Sequence, residues 1–438
     1  MIISKILIKI WRRIKNKLLE FEYFSNLDKK MLFLRMKKQH EMLIEKMKGK
    51  KRVRVVFLVI HNSVWKVDTV FQKMLNDDFF DPVILVCPYT VYGESLMWKD
   101  MQECLHYFNE KGYPTYSSFN HSEQCWVKLD ELSPDIVFFT NPHDLTRKEY
   151  YEDAYLNYLS CYVPYHHEVG SGGDVNVQFN QYFHNAMWKI FATNTSSYDL
   201  FEKYSLAKGR NVIVTGFPAM EGIYSKISNK NSWKNNDKRI RVIWAPHHTI
   251  SNDKLSYSNF LKYAELFVQF AEKMKDYVVW SFKPHPVLKS KLYSLCGWGV
   301  EKTEDYYAYW RNQEFTQLNE GEYEGLFLES DAMIHDSGSF LAEYLYLSKP
   351  VMYMLSGSNI SKKNKGYSEG DYTKFGLLAL ESCEQAKDFC DIEKFIMSLI
   401  NKENHIKESH KLFIRDQLDP FFKESFPSEK ILDKLKNF

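Results

Sequence analysis

The sequence predicts an α/β fold in which two doubly wound, Rossmann-like domains face each other across a cleft, preceded by a basic amphipathic helix. The 438 residues exceed the usual size of one domain, so we expect two domains of roughly 150 to 200 residues. Short apolar runs alternate with helical stretches in two series, which is typical of parallel sheets covered on both faces. A polar stretch separates the series. We therefore predict domains at 51–220 and 239–438, joined by a linker at 221–238.

The N-terminal residues carry an excess of positive charge. Residues 1–52 hold sixteen Lys or Arg and five Asp or Glu, a net charge of +11, so the rest of the +2 chain carries 2 − 11 = −9. From Ile3 to Leu18, apolar residues recur at three- and four-residue steps, with Lys and Arg on the remaining arc. This pattern predicts a basic amphipathic helix lying in the plane of an anionic membrane. Packing on the protein's own body or on a partner subunit is the alternative.

The length and charge of the same segment predict where the protein is located. It is too short and too charged to span a bilayer, so we expect residues 1–50 to associate with the membrane peripherally, at its cytoplasmic face. Nucleic acid is not an expected partner, because the basic run contains no recognisable binding motif and the body is acidic. A homo-oligomer is compatible with this organisation.

The first domain is predicted from buried β-rich runs and two amphipathic stretches. Helices are expected at Asp68–Leu75 and Trp98–Lys111. Strands are expected at Val53–Ile60, Pro82–Cys87, Asp135–Thr140, Cys161–Tyr165, Lys189–Thr193 and Val212–Gly216.

The second domain repeats the alternation after the linker. Strands are expected at Ile240–Ala245, Tyr277–Trp280, Ala332–His335 and Val351–Met354. Helices are expected at Tyr257–Lys275, Phe340–Leu347, Cys383–Asn401 and Ile406–Phe421.

Several classes of site are disfavoured by what the sequence lacks. No Gly-x-Gly-x-x-Gly follows the first strand and no Walker sequence occurs, which argues against classical dinucleotide binding and ATPase chemistry. The seven cysteines form no Cys-x-x-Cys pair and are expected to be reduced thiols. No His-Glu-x-x-His occurs, and neither a metal nor a cofactor is expected.

A glycine-dense loop follows the predicted strand at Cys161–Tyr165. It reads Tyr165-His-His-Glu-Val-Gly-Ser-Gly-Gly-Asp174, and its histidines can act as a general base toward an acceptor hydroxyl. The alternative is a glycine loop whose histidines are ordinary surface groups. We expect function, because such a loop at the end of a buried strand lies where ligands bind.

A second candidate loop is Lys283-Pro-His-Pro286, which follows the predicted strand at Tyr277–Trp280. Proline stiffness pre-positions Lys283 and His285 to neutralise a departing phosphate. A histidine that only caps a rigid turn is the alternative.

The third candidate is Asp336-Ser-Gly-Ser339, just before the helix expected at Phe340. Hydroxyls and backbone N–H groups at a helix start can hold a phosphate, and Glu343, one turn later, can reach a ribose hydroxyl. Ordinary helix capping by Asp336 and Ser339 is the alternative, and it is compatible with phosphate binding.

These residues resemble a known family in order and spacing. Ala245-Pro246, Lys283-Pro-His-Pro286, Ser330–Glu343 and Leu347-Ser-Lys-Pro350 are similar to the C-terminal half of the teichoic-acid CDP-glycerol glycerophosphotransferases, peripheral membrane enzymes with a GT-B fold. The resemblance departs at Lys283, where the family has Arg, at Gly338, where it has Ser, and at Glu343, where it has Asp.

The resemblance implies roles for particular residues. It implies that His285 and Ser339 contact the donor's phosphates, that Asp336 and Glu343 shape the nucleotide site, and that the family's base matches His166 or His167. The wider donor-binding set that it implies is Pro246, His247, Lys283, Asp336, Ser337, Gly338, Ser339 and Glu343.

The sequence therefore predicts a metal-free transferase of cell-surface polymer synthesis. It would move glycerol phosphate, or a related polyol phosphate, from a nucleotide-activated donor, with CDP-glycerol favoured, to the hydroxyl of a membrane-linked or polymer acceptor. A sugar-nucleotide glycosyltransferase of capsule or lipopolysaccharide assembly, a nucleotide-sugar epimerase and a non-catalytic scaffold of a polymer-export complex are the alternatives.

Overall fold

The computed structural model describes residues 22–170, 175–226, 232–234, 238–250, 257–356, 372–403 and 406–437. These residues form two compact units. The first contains 22–166, 175–219 and 425–437, and the second contains 167–170 and the described residues between 220 and 424. The predicted amphipathic helix at Ile3–Leu18 lies outside the described residues.

The first unit is built on a seven-stranded parallel sheet. Its strand order is β3-β2-β1-β6-β7-β8-β9, so the winding direction reverses between β1 and β6. The strands are β1 (Val53–Val59), β2 (Phe80–Val86), β3 (Thr115–Ser117), β6 (Ile136–Phe139), β7 (Leu159–Tyr162), β8 (Lys189–Ala192) and β9 (Val212–Val214), and a separate antiparallel pair is β4 (Phe119–Asn120) and β5 (Cys125–Trp126).

Helices cover both faces of this sheet because its strands are apolar on both sides. They are α1 (Glu22–Met47), α2 (Asp68–Leu75), α3 (Glu94–Glu110), α4 (Glu152–Asn157), α5 (Val175–Phe179), α6 (Tyr182–Ala186) and α7 (Thr195–Tyr204).

The second unit contains a six-stranded parallel sheet in the order β12-β11-β10-β13-β14-β15, with its reversal between β10 and β13. The strands are β10 (Ile240–Ala245), β11 (Val278–Phe282), β12 (Thr316–Leu318), β13 (Ala332–His335), β14 (Val351–Met354) and β15 (Glu384–Ala386). One face packs on an aromatic core in which the Trp244 ring stacks on Phe267 at 3.9 Å between centroids.

The helices of the second unit complete this α/β arrangement. They are α8 (Glu221–Tyr224), α9 (Phe260–Lys273), α10 (Pro286–Tyr293), α11 (Gly299–Asn312), α12 (Glu324–Glu329), α13 (Phe340–Glu343), α14 (Lys374–Ser382), α15 (Phe389–Ile400) and α16 (Glu408–Phe413). α13 continues as a 3₁₀ turn over Tyr344–Leu347, within the stretch predicted as one helix.

The chain crosses between the units at places that the predicted boundaries missed. Residues 425–437, predicted in the second domain, belong to the first unit, where α17 (Pro427–Lys436) packs beside α2 and Lys73 bonds to Glu429 at 2.6 Å. Residues 167–170, predicted in the first domain, belong to the second unit. The predicted linker also begins with α8, whose Ile223 is fully buried.

Within the described ranges, no helix combines the length and the apolar character needed to cross a bilayer.

Candidate active site

Histidines gather at the carboxyl ends of the parallel strands. Eight of the fourteen histidines follow directly after a strand or end one: His61, His143, His166, His167, His247, His248, His285 and His335. Ligands of doubly wound folds bind at this edge of the sheet, next to the point where the winding direction reverses. The reversal of the second unit, between β10 and β13, lies beside three of the predicted motifs.

Three of these histidines form one cluster in the second unit. Parallel pairing aligns Trp244 with Phe282, and His247 and His285 each follow their strand residue by three positions. The ring centroids of His247 and His285 lie 5.1 Å apart, and His248 lies 4.3 Å and 4.2 Å from them. One nitrogen from each ring lies within 4.8 Å of those of the other two. The two predicted loops therefore meet, and His248 joins them.

Burial disfavours the charged form of two of these imidazoles, those of His247 and His285. Burial lowers the pKa of His247 to about 3, with a further contribution from the charges of His248 and Lys291. Burial also lowers the pKa of His285 to about 2, helped by His248, His247, Lys283 and Lys291. The nearby positive groups add to the effect of burial, because they disfavour a positive imidazole.

Asp336 organises the cluster rather than facing a ligand. Its buried carboxylate accepts hydrogen bonds from the backbone N–H of His247 and of Asn259, both at 2.6 Å, and from Asn259 Nδ2 at 3.4 Å. Burial raises its pKa to about 7, while these N–H donors pull it down. Asp336 therefore ties the loop after β10 to the residue before α9.

Lys283, on the same loop as His285, is buried. Its Nζ donates a hydrogen bond to the carbonyl oxygen of Gly321 at 2.7 Å, and Lys283 N donates to Trp244 O at 2.8 Å. The Pro246 carbonyl accepts from His285 N at 3.1 Å. Both predicted proline turns thus fix the backbone on which the histidines sit.

His285 caps α10. Its Nδ1 accepts a hydrogen bond from Val287 N at 3.2 Å, and Pro286 occupies the first helical position. The capping alternative is therefore real, and it leaves the other ring nitrogen available to a ligand.

The loop after β13 has an inner and an outer part. Ser337 is buried, Gly338 is half-buried and Ser339 is exposed. Ser339 precedes α13 without making a side-chain capping bond. The Ser339 hydroxyl therefore does not cap α13. Glu343 is buried within α13 and hydrogen-bonds to Tyr323.

The structure separates the two histidines between which the sequence left the base undecided. His166 belongs to the first unit, is half-buried and lies beside Tyr165, whose ring centroid is 4.6 Å away. His167 belongs to the second unit and is 1% exposed. Its Nε2 lies 3.1 Å from Tyr346 Oη, and its ring stacks on Phe375 at 4.9 Å. His167 is packed as a core residue, whereas His166 is accessible.

The residues after His167 are fastened to the start of α14. Thr373 Oγ1 donates to Glu168 O at 2.6 Å, and Thr373 N donates to Val169 O at 3.0 Å. Gly170 forms an antiparallel bridge with Tyr372. We call 168–170 together with 372–376 the α14 clasp. Gly376 is required there, because a Cβ would lie 1.9 Å from Val169 O.

The first unit has its own polar edge at the β1/β6 reversal, which the predicted site residues did not include. His61 Nδ1 accepts from Ser63 N at 3.3 Å, and Asn141 Oδ1 accepts from His143 N at 2.8 Å. Burial, with a smaller effect of His166, lowers the pKa of His143. In the sequence, His61, His143 and His248 follow shortly after apolar runs, and this position could have identified them as residues at strand ends.

One protein family matches the part of the chain that contains the loops after β10, β11 and β13. Loops that carry histidines and lysines at the strand ends of a doubly wound unit can bind phosphates. Residues 171–376 match the family described as CDP-glycerol:poly(glycerophosphate) glycerophosphotransferase, which confirms the predicted resemblance and the predicted enzyme class. No curated protein matches the sequence.

Solved structures share the fold at low sequence identity. A structure of the wall teichoic acid polymerase TagF matches with a TM-score of 0.56 and 14% identity, covering 98% of this chain and 97% of that chain. An S. aureus MnaA-UDP structure matches with a TM-score of 0.51 and 12% identity, over 88% and 96%. A UDP-GlcNAc 2-epimerase from Methanocaldococcus jannaschii matches at 0.50 and 13%, over 88% and 100%. These likenesses confirm the predicted GT-B fold class.

Proposed function

We propose that this chain transfers glycerol phosphate from CDP-glycerol to a hydroxyl of a teichoic-acid-like polymer or its membrane-linked precursor. The observation that carries this proposal is the convergence of the loops after β10, β11 and β13, which lie within residues matched by the glycerophosphotransferase family. TagF, which has a similar fold, is a wall teichoic acid polymerase, and one of its structures followed a soak with CDPG.

The transfer step exchanges one phosphoester bond for another. The acceptor hydroxyl oxygen attacks the phosphorus of the glycerol phosphate, the bond from that phosphorus to the bridging oxygen breaks, and CMP leaves with the bond's electron pair. A base takes the hydroxyl proton. Because a phosphoryl transition state carries charge on its oxygens, catalysis needs positioned donors more than covalent chemistry.

We assign the base to His166. It is accessible on the loop after β7, whereas His167 is enclosed by Tyr346 and Phe375. A general base must reach the hydroxyl of its substrate, and a ring packed on two aromatic side chains is poorly placed to do so. His167 then has a structural role, because it holds residues 167–170 in place by packing against Tyr346 and Phe375.

We assign the donor's phosphates to the histidine cluster and the loop after β13. His285, His247 and Lys283 line one side, and the hydroxyl of exposed Ser339 with the N–H groups of Ser337 and Gly338 supply further donors. Glu343, buried near Tyr323, is proposed to hold a ribose hydroxyl.

We also propose that the protein is peripheral to the membrane, at its cytoplasmic face. The support, besides the charge of +11 over residues 1–52, is an exposed line on α1 that we call the α1 apolar stripe. Its members recur at helical spacing opposite the buried face of Met36 and Met47, with exposed Lys30, Lys37 and Lys38 around them. They are Tyr23, Leu27, Met31, Leu34 and Met42.

Vesicle flotation tests the membrane proposal. The chain is expected to float with vesicles containing anionic phosphatidylglycerol and to remain in solution with neutral vesicles. Replacing Leu27, Met31 and Leu34 by Glu should weaken flotation, whereas Leu261→Glu with Leu266→Glu, at exposed apolar positions of α9, should not. Equal flotation with both vesicle types would contradict the proposal.

The activity is tested by titration calorimetry with CDP-glycerol, CDP, CMP, UDP and GDP, followed by a transfer assay. Preferential cytidine binding and release of CMP are expected. His285→Ala should slow transfer by roughly 10²-fold while weakening donor binding less, because the loss concerns charge that develops during reaction. His106→Ala, at an exposed histidine paired with Glu110, is the matched control. UDP or GDP preference would redirect the assignment to sugar transfer.

A further inference from the structure

A small cavity lies at the carboxyl edge of the first sheet, beside the reversal between β1 and β6. The last residues of β1 and β6, Cys87 after β2 and several residues between 141 and 151 line it. Its volume is about 20 Å³. Because roughly 10–15 Å³ is enough to hold a water molecule, the cavity admits one group of that size. Ligands of doubly wound folds bind beside such a reversal.

Two polar side chains of the cavity wall have groups that the protein does not satisfy. The hydroxyl of Thr146 is buried and has no hydrogen-bond partner among the described residues. Asn141 Oδ1 accepts from His143 N at 2.8 Å, whereas Nδ2 of Asn141 has no acceptor among the described residues. Since buried polar groups are normally hydrogen-bonded, these exceptions indicate a ligand group or an ordered water.

The third polar group of the wall is the ring of His143, and its proton can be located. Gln181 Nε2 donates to Val177 O and lies 3.4 Å from His143 Nδ1. An amide nitrogen carries two hydrogens and does not accept, so His143 Nδ1 receives the second hydrogen and is itself unprotonated. Burial lowers the pKa of His143, with a smaller effect of the charge of His166. The neutral ring therefore carries its hydrogen on Nε2.

The chain that carries these groups is fixed before any ligand binds. Tyr151 Oη donates to Pro142 O at 2.7 Å, and Thr90 N, after β2, donates to Leu145 O at 3.0 Å. The bond from His143 N to the Asn141 side chain closes the turn between them. Because the wall is already ordered, a ligand group that enters the cavity costs little conformational freedom.

The composition of the cavity wall suits a neutral hydroxyl group. Among the described residues, no Lys, Arg, Asp or Glu lines the cavity, so an anion or a cation would enter without a counter-charge. A hydroxyl oxygen accepts two hydrogen bonds and donates one, and the N–H groups of Asn141 and His143 with the Thr146 hydroxyl can supply all three. Apolar side chains such as Ile60 and Phe139 suit the carbon that bears the hydroxyl.

We propose that Asn141, His143 and Thr146, together the β6 pocket, bind one hydroxyl of the acceptor while a neighbouring hydroxyl of the same acceptor attacks the donor. This inference rests on the proposed function, from which it takes the acceptor and the base His166. The charge of His166 acts on His143, so the two rings are neighbours at one sheet edge. The substrate class is therefore an acceptor that ends in a polyol with at least two hydroxyls, rather than in a single alcohol.

Two probes that differ by one hydroxyl test the β6 pocket on the wild-type protein. Glycerol 3-phosphate ends in a diol, whereas 3-hydroxypropyl phosphate lacks the central hydroxyl. Ligand-observed NMR titrations should show about tenfold tighter binding of glycerol 3-phosphate, because the analogue leaves donors of the pocket unpaired. Equal affinities, the result expected if the cavity holds only a resident water, would overturn the proposal.

Variants of Thr146 locate the preference in the β6 pocket. Thr146→Val keeps the shape and removes the hydroxyl, so the preference for the diol should fall to about twofold or less, and Thr146→Ser should restore it. Because this hydroxyl has no partner in the described protein, Thr146→Val should not lower the urea midpoint. Thr115→Val, at the opposite edge of the sheet, is the control and should keep the preference. A full preference in Thr146→Val would place the diol at another site.

Nitrogen NMR on histidine-labelled wild-type protein gives a readout that does not depend on a variant folding. The His143 signals, assigned from a His143→Gln spectrum, should show an Nε2–H tautomer, and Nε2 should shift when glycerol 3-phosphate is added. An Nδ1–H tautomer would contradict the assignment. If the probes behave as expected but CDP-glycerol is not a donor, the β6 pocket stands and only the proposed transfer fails. If CDP-glycerol is a donor but the two probes bind equally, only the pocket fails.

Discussion

Gly376→Ala is expected to break the α14 clasp. The added Cβ would lie 1.9 Å from Val169 O, 2.7 Å from Val169 C and 2.9 Å from Val169 Cα. Ordinary contact begins at 3.4 Å, so the carbonyl must retreat by about 3.4 − 1.9 = 1.5 Å. That displacement removes the hydrogen bond of 3.0 Å from Thr373 N to Val169 O.

The magnitude follows from three contributions. Forced overpacking costs roughly 1–3 kcal/mol, and the lost hydrogen bond costs about 1 kcal/mol. Replacing Gly by Ala within α14 returns about 1 kcal/mol of helix propensity. The net loss of stability is therefore about 2 kcal/mol, concentrated in the second unit.

Two measurements check this prediction, and one variant controls it. Urea unfolding should show a lower midpoint for Gly376→Ala, and hydrogen exchange should show faster exchange of the Thr373 amide. Gly338→Ala is the control, because its Cβ would also face Val169 but would meet only the side chain, at 3.8 Å, which is an ordinary contact. Unchanged midpoint and unchanged exchange in Gly376→Ala would refute the steric reasoning.

Three further predictions concern other groups. Burial lowers the pKa of His335 to about 3 from a usual value near 6.5. Wild type should therefore lose stability as pH falls through this window, by up to about 1.4 kcal/mol per pH unit from this residue. Urea unfolding between pH 4.5 and 7 should show that the stability of His335→Gln lacks this part of the pH dependence, and parallel curves for the two proteins would contradict the prediction. His166→Gln should lower transfer turnover by roughly 10²-fold or more with CDP-glycerol affinity retained, whereas His167→Gln should chiefly lower the unfolding midpoint; the reverse pattern would exchange their roles. Lys349→Met should lower the free energy of unfolding, measured in urea, by about 3 kcal/mol, because the Nζ of Lys349 donates to three carbonyls, including Leu328 O at 2.6 Å. An unchanged midpoint would show that those carbonyls find other donors.

The strands that the sequence predicted are those with buried apolar runs. Residues 240–245, 332–335 and 351–354 match the predicted bounds, because Val, Ile, Met and Trp in such runs have few alternatives to a buried strand. The missed strands of the two parallel sheets, β3, β12 and β15, are three residues long and read Thr-Tyr-Ser, Thr-Gln-Leu and Glu-Gln-Ala. Their position is set by pairing with a neighbouring strand, which a single sequence does not display.

β15 shows how pairing overrides local preference. The sequence favoured one helix over Cys383–Asn401, yet Glu384–Ala386 pairs with Met352–Met354 of β14. The helix begins only at Phe389, where the Asp388 side chain accepts from Asp391 N and caps it. A capping signal inside the predicted helix thus marked the true start of α15.

The site was partly predictable, because the loops after β10 and β11 each carry a signal in the sequence. The prolines beside His247 and His285 mark the ends of buried strands, and parallel strand ends meet at one edge. The hydrogen-bond partners of the His247 ring could not be predicted in this way. Thr249 becomes a donor to His247 only because Tyr257 and Ser258, eight and nine residues later, occupy both lone pairs of its hydroxyl. That arrangement depends on Asp336 holding the residue before α9 against the loop after β10. The hydrogen bond between Thr249 and His247 therefore depends on backbone N–H groups that do not belong to the histidines, and no histidine spacing in the sequence could reveal it.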